Sequence, residues 1–456
     1  MQSETDTRLT ERMTRLLTAP AIPQNTFIEN QTSYQALYDL AYGLKGALAD
    51  FRDPAEPVCL YTEEKALTAA AMLAAASLDT PTLLLPYALN PNVLREIHAS
   101  TGARRVITDR PDDLPSALQA VNITPAGFPD AGLRPAPMNK VMVRLFTGGT
   151  TGKPQVWPKT VSNLFGEAFF MLVNFGISEN DRFVAMTVPY HIYGLLFAVL
   201  VPLAASAGVN AGVSVYPDEI IAAIRRHKAT VLAGVPMHYR VLRNAAIKGG
   251  RLRLAISSAG RLEPEDGAAF FQQTGIGVTE VYGATETGGV ATRNRALGET
   301  GLTPLASVTT RITGERLYVR SPYLSPNLAT DAKGFFLTGD RVRQDAGGGF
   351  VLMGRADGIV KVGGKRVDLE GVQSCLKELP GIADALVLSL PAGRGRENEI
   401  VAMVEGDMDP AEIRQALADN VEPYALPRRI VTVDKIPMSA AGKYDRQAAA
   451  NLFTGD

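Results

Sequence analysis

Residues 144–157 read RLFTGGTTGKPQVW, a short apolar run that breaks into glycines and threonines and ends at Lys153-Pro154. Glycines let the main chain approach a ligand and turn N–H groups toward an anion, and threonine hydroxyls add donors. The obvious comparison is the phosphate loop GxxxxGK[ST]. Counted back from Gly152-Lys153, its first glycine falls on Thr147, and its Ser or Thr falls on Pro154. The stretch fails twice, which disfavours a kinase or ATPase of that type. Taken alone, it also reads as a plain Gly-rich turn between strands.

Outward from this loop, short β-rich runs alternate with helical patterns. PVCLYT precedes the alanine-rich KALTAAAMLAAASL, TPTLLLP follows, and NPNVLREIHASTG leads into RRVITD. Farther on, ATVLAGVP, a basic helix, RLRLAISSAG, another helix and GVTEVYG continue the alternation. Such alternation implies an α/β fold with parallel-type sheets covered by helices. Near residue 300 the pattern changes to RITGERLYVRSP, GFFLTGD and GGGFVLMGR, an antiparallel β-rich subdomain expected to close the large part. After GRADG a small α+β unit follows. The expected division is an N-terminal domain over 1–356 and a C-terminal lid domain over 357–456, with the boundary at the polar turn Asp357-Gly358.

The bulk numbers narrow the function classes. Among 456 residues the net charge is −1, so no global field draws the chain to nucleic acid or an anionic membrane. Cys59 and Cys375 lie far apart and form no CxxC site, and the four histidines, His98, His191, His227 and His238, lack zinc-site spacing. The charged N-terminus MQSETDTRLTERMTRLL has no apolar signal core, and a cytoplasmic protein is expected. Phe183 to Pro217 carries no charge, yet Pro189, His191, Pro202 and Asn210 interrupt it. Its pattern reads as a buried β-α-β unit, with FVAMTVP and VNAGVSVY as strands, and not as a membrane span.

Four further stretches share the loop's chemistry: PYHIYG (189–194), VYGATETGG (281–289), LTGDRVR with GRADGIVKVGGKRVDLEGVQ (337–343 and 354–373), and IPMSAAGKYDR (436–446). Together with the loop they resemble, in the same order, the adenylate-forming superfamily of acyl-CoA synthetases, peptide-synthetase adenylation domains and luciferases. The resemblance runs from about residue 55 to the C-terminus and is weak before it.

That resemblance implies ATP and Mg²⁺ as cofactors and assigns roles by motif. Thr147, Gly148, Gly149, Thr150, Thr151, Gly152 and Lys153 would cradle the β- and γ-phosphates. Tyr282 and Gly283 would face adenine, Thr285 a phosphate, and Glu286 would offer a hard oxygen to the metal. Ala259 and Gly260, in SSAGRL, would line adenine and the acyl group. Asp340 would accept two ribose hydroxyls through its carboxylate, with Arg355 beside it, and Asp357 would be the hinge of a swivelling small domain. Lys443 would bridge the attacking carboxylate and the α-phosphate, and His191 would stand where the acyl pocket meets the thiol tunnel. Standing alone, Glu286, Asp340 and His191 also read as a loop acid, a turn acid and a core histidine. Two departures are visible: Gly148 replaces the family's usual serine and Gln155 its usual lysine, for which Lys153 could substitute.

The implied reaction activates a carboxylic acid, aryl or fatty, to acyl-AMP and passes it to a phosphopantetheine thiol of CoA or of a holo acyl carrier protein. The acyl pocket is expected around NLFGEAFFMLVNFG, His191 and Ser258 to Gly260. From Ala222 to Arg253 stand eight Lys/Arg and no acid, which reads as a solvated basic face or as a landing site for CoA phosphates or an acidic carrier. No GGxS-like attachment motif follows residue 446, so a carrier is expected to be a separate chain. Two alternatives stay open at this level: a weakened homologue that only binds nucleotide or acyl group, and adenylation with a non-thiol acceptor.

Overall fold

The computed structural model describes the chain except residues 1, 50–55, 80, 131, 148–154, 248–249, 357, 363–364, 392–397, 419, 422, 440–441 and 455–456. Two compact units result: Met1–Thr309 with Arg320–Gly334, and Thr310–Val319 with Phe335–Asp456. The antiparallel subdomain therefore groups with the C-terminal chain, and the division expected after residue 356 falls inside the second unit. One tie is visible there: Arg341 bonds Asp368 at 2.7 Å, joining the strand Phe336–Gln344 to the end of Lys365–Asp368.

The first unit holds two sheets. In one, Val58–Tyr61 lies between Leu83–Leu85 and Arg105–Thr108, all parallel, with Val141–Thr147 parallel beyond Leu83–Leu85. Gln155–Thr160 closes that side antiparallel, pairing Thr147 with Gln155. In the other, Gly208–Val209, Arg182–Ala185, Val231–Gly234, Leu254–Ser257 and Val278–Ala284 run parallel in that spatial order. Gly288–Asn294 and Thr303–Pro304 follow antiparallel at one edge. Runs such as VCLY, LLL and VLAG are buried at every position, as strands covered on both faces must be.

The helix Lys65–Ala76 is almost wholly buried, and its small side chains let it pack against both the helix Tyr34–Ala49 and the segment Leu195–Leu200. Lys65 at its head is 1% exposed, and its ammonium donates to the carbonyls of Ala185, Asn210 and Gly212 and to Asn210 Oδ1 at 2.8–3.2 Å. Burial pushes this ammonium down to about 7, and the ring of oxygens is its counterweight. One lysine thus fastens a helix of the first sheet's connections to the strand ends of the second.

The charge-free segment is the expected β-α-β unit, with one difference. Arg182–Ala185 and Gly208–Val209 pair parallel around a helical stretch from Ile192 to Ala205, but the second strand ends at Val209. There Asn210 turns its own Oδ1 to the Ala185 N–H at 2.8 Å, so a side chain replaces the ladder. Among the described residues no helix is long and apolar enough to cross a membrane.

Almost wholly in the second unit, Thr309–Thr313, Arg316–Arg320, Phe336–Gln344 and Phe350–Arg355 form a four-stranded sheet, in that order, with only the end residues Thr309 and Arg320 assigned to the first. The hairpin Ile359–Val362/Lys365–Asp368 follows, then a three-stranded sheet of Asp384–Pro391, Asn398–Glu405 and Arg429–Val433. Leu369–Lys377 and Pro410–Ala418 pack on one core of it, and Arg446–Thr454 on another. Cys59 is buried in the first unit and Cys375 partly so in the second, and both are free thiols.

Lys65→Met keeps the apolar stem but strands the carbonyls that the ammonium satisfies. It is expected to cost about 2 kcal/mol, read as a lowered urea midpoint, whereas an unchanged midpoint would show the contact to be energetically idle.

Candidate active site

In the first unit the site is built on the hairpin Val278–Ala284/Gly288–Asn294. Tyr282 is half-buried on the first strand, and Thr285 and Glu286 occupy the connecting turn, also half-buried. The turn is closed from within: Thr287 Oγ1 accepts the Ala284 N–H at 3.0 Å and donates to Gly288 O at 2.9 Å. Gly283 and Gly288 meet where no side chain fits, since a Cβ on Gly283 would lie 2.3 Å from Gly288 O. Gly288 has φ +68°, the left-handed region that glycine tolerates.

Two charged side chains lie beneath this turn. Lys159, 1% exposed, donates to Tyr323 O at 2.8 Å and Glu286 O at 3.2 Å. Glu167, 2% exposed, accepts the Gly289 N–H at 2.6 Å. Burial lowers Lys159 to about 8, with Glu167 and Glu286 pulling the other way, and burial raises Glu167. The motifs did not reveal this pair. One signal was present: Glu167 is the sole charge in the apolar helix VSNLFGEAFFMLVN.

Around the turn, Ser258 Oγ donates to Val281 O at 2.7 Å and so ties the SSAGRL loop to the strand bearing Tyr282. Ala259 holds φ +69°, costly for a residue with a Cβ. His191 stands at the N-terminal end of Ile192–Gly194, its ring 4.8 Å from that of Tyr190. The glycine of HxxG is needed for closeness: a Cβ on Gly194 would sit 1.9 Å from Val188 O. Thr147 ends its strand opposite Gln155 and accepts from Trp157 Nε1 at 3.2 Å. Gly148, Gly149, Thr150, Thr151, Gly152 and Lys153 lie outside the described residues, as does Asp357.

In the second unit Asp340 and Arg355 are register partners on adjacent strands, with a guanidinium nitrogen 3.9 Å from the carboxylate. Gly339 makes room for that guanidinium, since a Cβ there would lie 2.5 Å from it. Lys443 is exposed on a tight turn closed by Ser439 N–H to Lys443 O at 2.7 Å, with Gly442 at φ +69°. The next residue anchors the turn. Tyr444 OH donates to the buried Asp384 at 2.7 Å, and Lys377 bonds both, at 2.8 and 2.7 Å.

The basic run is largely structural on its second half. Arg240 and Arg243 both face the buried Asp266, and Arg253 grips Asp181 at 2.7 Å. Arg225, Arg226, Lys228 and Arg251 remain exposed. Among the described residues no group of three or more His, Cys, Asp or Glu could enclose a metal. A single carboxylate such as Glu286 suits Mg²⁺, which draws its other ligands from phosphates and water.

Comparison with known proteins fits this construction. The family model described as AMP-binding enzyme matches residues 11–334, so the likeness begins well before residue 55, and the AMP-binding enzyme C-terminal domain matches residues 371–443. Sulfoacetate–CoA ligase of Cupriavidus necator is 28% identical, over 74% of this chain and 70% of its own length. Surfactin synthase subunit 2 of Bacillus subtilis is also 28% identical over 67% of this chain, which spans a tenth (10%) of that protein. In fold, the chain matches ATP-bound MatB from Rhodopseudomonas palustris with a TM-score of 0.83, covering 97% of this chain and 99% of that one at 22% identity. The chain belongs to the AMP-binding enzyme family.

Proposed function

We propose that this protein is an ATP-dependent acid–thiol ligase that activates an aryl or fatty acid as acyl-AMP and transfers it to a phosphopantetheine thiol. The observation that carries the reading is the register pairing of Asp340 with Arg355, beside Gly339, which leaves room for the guanidinium, because it brings two separate motifs together where they could serve one ribose and phosphate. Two relatives lend support: one is a CoA ligase, and the solved neighbour binds ATP.

A carboxylate oxygen attacks the α-phosphorus, the bond to the bridging oxygen breaks, and pyrophosphate leaves. No general base is needed, because the acid is ionised at neutral pH. The obstacle is bringing anions together, so positioning and charge neutralisation carry the rate. Lys443 spans carboxylate and α-phosphate, the residues from Thr147 to Lys153 hold the outer phosphates, and Thr285 adds a hydroxyl donor. Glu286 would hold magnesium, which neutralises phosphate charge when bound. Tyr282, Gly283, Ala259 and Gly260 receive adenine and the acyl group, and Asp340 accepts the ribose hydroxyls. In the second step the thiol sulfur attacks the acyl carbon, the carbon–oxygen bond to AMP breaks, and the thiol proton passes to solvent. His191 lies on the acyl and thiol side of this scheme, and Asp357 is the hinge between an N-terminal 1–356 body and the 357–456 lid.

Acid-dependent ATP–pyrophosphate exchange over a panel of aryl and fatty acids tests the first step, and no exchange with any acid would overturn it. Separate arms with CoA and with a holo carrier protein then identify the acceptor. Lys443→Ala is expected to lower exchange by about 10²-fold or more while thioester formation from supplied acyl-AMP suffers less. Equal loss in both would remove the assigned role. Gly339→Ala should displace only the flexible end of Arg355, leaving the unfolding midpoint near wild type but raising the KM for ATP about tenfold.

A further inference from the structure

The turn Thr285–Gly288 is held at both ends by groups that the proposed chemistry does not use. Lys159 takes the Glu286 carbonyl on one side, and Glu167 takes the Gly289 N–H on the other. Lys159 also takes Tyr323 O, and Ser325 N–H reaches the same Glu286 carbonyl at 2.8 Å, so a second segment is drawn onto the turn. Neither side chain reaches solvent, at 1% and 2% exposure. Taking two charges out of water costs several kcal/mol each, and apolar residues would fill the space more cheaply. The ammonium is occupied by carbonyls, so it does not replace the lysine missing at Gln155 as a phosphate ligand.

Chain position gives the pair its meaning. Lys159 sits on Gln155–Thr160, the strand that follows Gly148–Pro154, and Glu167 on the helix Val161–Asn174 directly after it. Packing against Glu167 and Tyr323 is tight enough that a Cβ on Gly288 would lie 2.7 Å from the carboxylate and 2.8 Å from Tyr323. We infer that Lys159 and Glu167 are positioning residues for the metal–phosphate end of the site. They lock the Thr285–Glu286 turn to the strand Gln155–Thr160 and the helix after it, and so fix where Glu286 would meet a magnesium–triphosphate unit.

This rests on Glu286 serving Mg·ATP, so the test is binding and not turnover alone. ATP affinity is measured by calorimetry with magnesium and with EDTA, in wild type, Lys159→Met, Glu167→Gln and the double variant, beside unfolding midpoints and exchange kinetics. In Lys159→Met the gain in ATP affinity that magnesium gives wild type should fall about tenfold or more, as for supporting partners of a metal ligand, and the KM for Mg·ATP should rise in step. The KM for the acid should stay within about twofold. Glu167→Gln keeps an oxygen for the Gly289 N–H and should lose less. The double variant removes the carboxylate left without its cation, so its midpoint should recover relative to Lys159→Met while its magnesium-dependent affinity does not. If Lys159→Met fails to fold, the double variant carries the comparison.

The inference is overturned if affinity recovers together with the midpoint, if Lys159→Met binds Mg·ATP within twofold of wild type, or if magnesium gives wild type no gain. A wild type that binds Mg·ATP yet exchanges with no acid would sink the ligase reading alone, and the variants would still decide this one.

Discussion

A lysine ammonium sealed from water has to be ringed by oxygen, and the first unit is organised around that requirement. Lys65 meets it with carbonyls from the strand Arg182–Ala185 and from the residues after Gly208–Val209, although it belongs to the helix after Val58–Tyr61. Lys140, only partly buried, follows the same rule at the end of that helix, bonding the carbonyls of Ala75 and Leu78, where a cation also suits the negative pole. Lys159 meets it with Glu286 and Tyr323. In each case a directional bond adds orientation to a core that apolar packing alone would leave free to slide.

The fold was legible where short apolar strands alternated with helices. VCLY, LLL and VLAG all became parallel strands, because runs with no polar face must be covered on both sides, and RVIT joined them with only its two ends partly exposed. Less legible was the chain before residue 55. There Gln2–Thr18 and Tyr34–Ala49 are helices, and Thr26–Ile28 joins the nine-stranded sheet only through pairing with Gly208–Val209, a contact no local pattern announces. VNAGVSVY misled for a related reason: its apolar residues favoured a strand, and one asparagine side chain took the next ladder position.

Of the candidate residues, the motifs supplied Tyr282, Thr285 and Glu286 in the first unit and Asp340, Arg355 and Lys443 in the second. They are short and local, so they can be read one at a time. What holds them is not local. Lys159 and Glu286 are 127 residues apart, and Tyr444 and Asp384 are 60 apart. A lysine in PKT or a tyrosine after GK gives no hint of its partner until the chain has folded. The basic run was legible by halves: Arg225, Arg226, Lys228 and Arg251 are exposed, as a solvated face requires, whereas Asp181 and Asp266 pair three of its other arginines.

The two cysteines bear on the same chemistry from another side. An enzyme that holds an acyl-adenylate keeps an electrophile in its own interior, where any thiolate of its own would compete with the acceptor and end as a dead thioester. Burial pushes the Cys59 thiol up to about 12, which disfavours its thiolate at neutral pH. Burial and Glu378 raise Cys375 as well. Both thiols are thereby held toward the neutral form, the one less able to attack an acyl-adenylate.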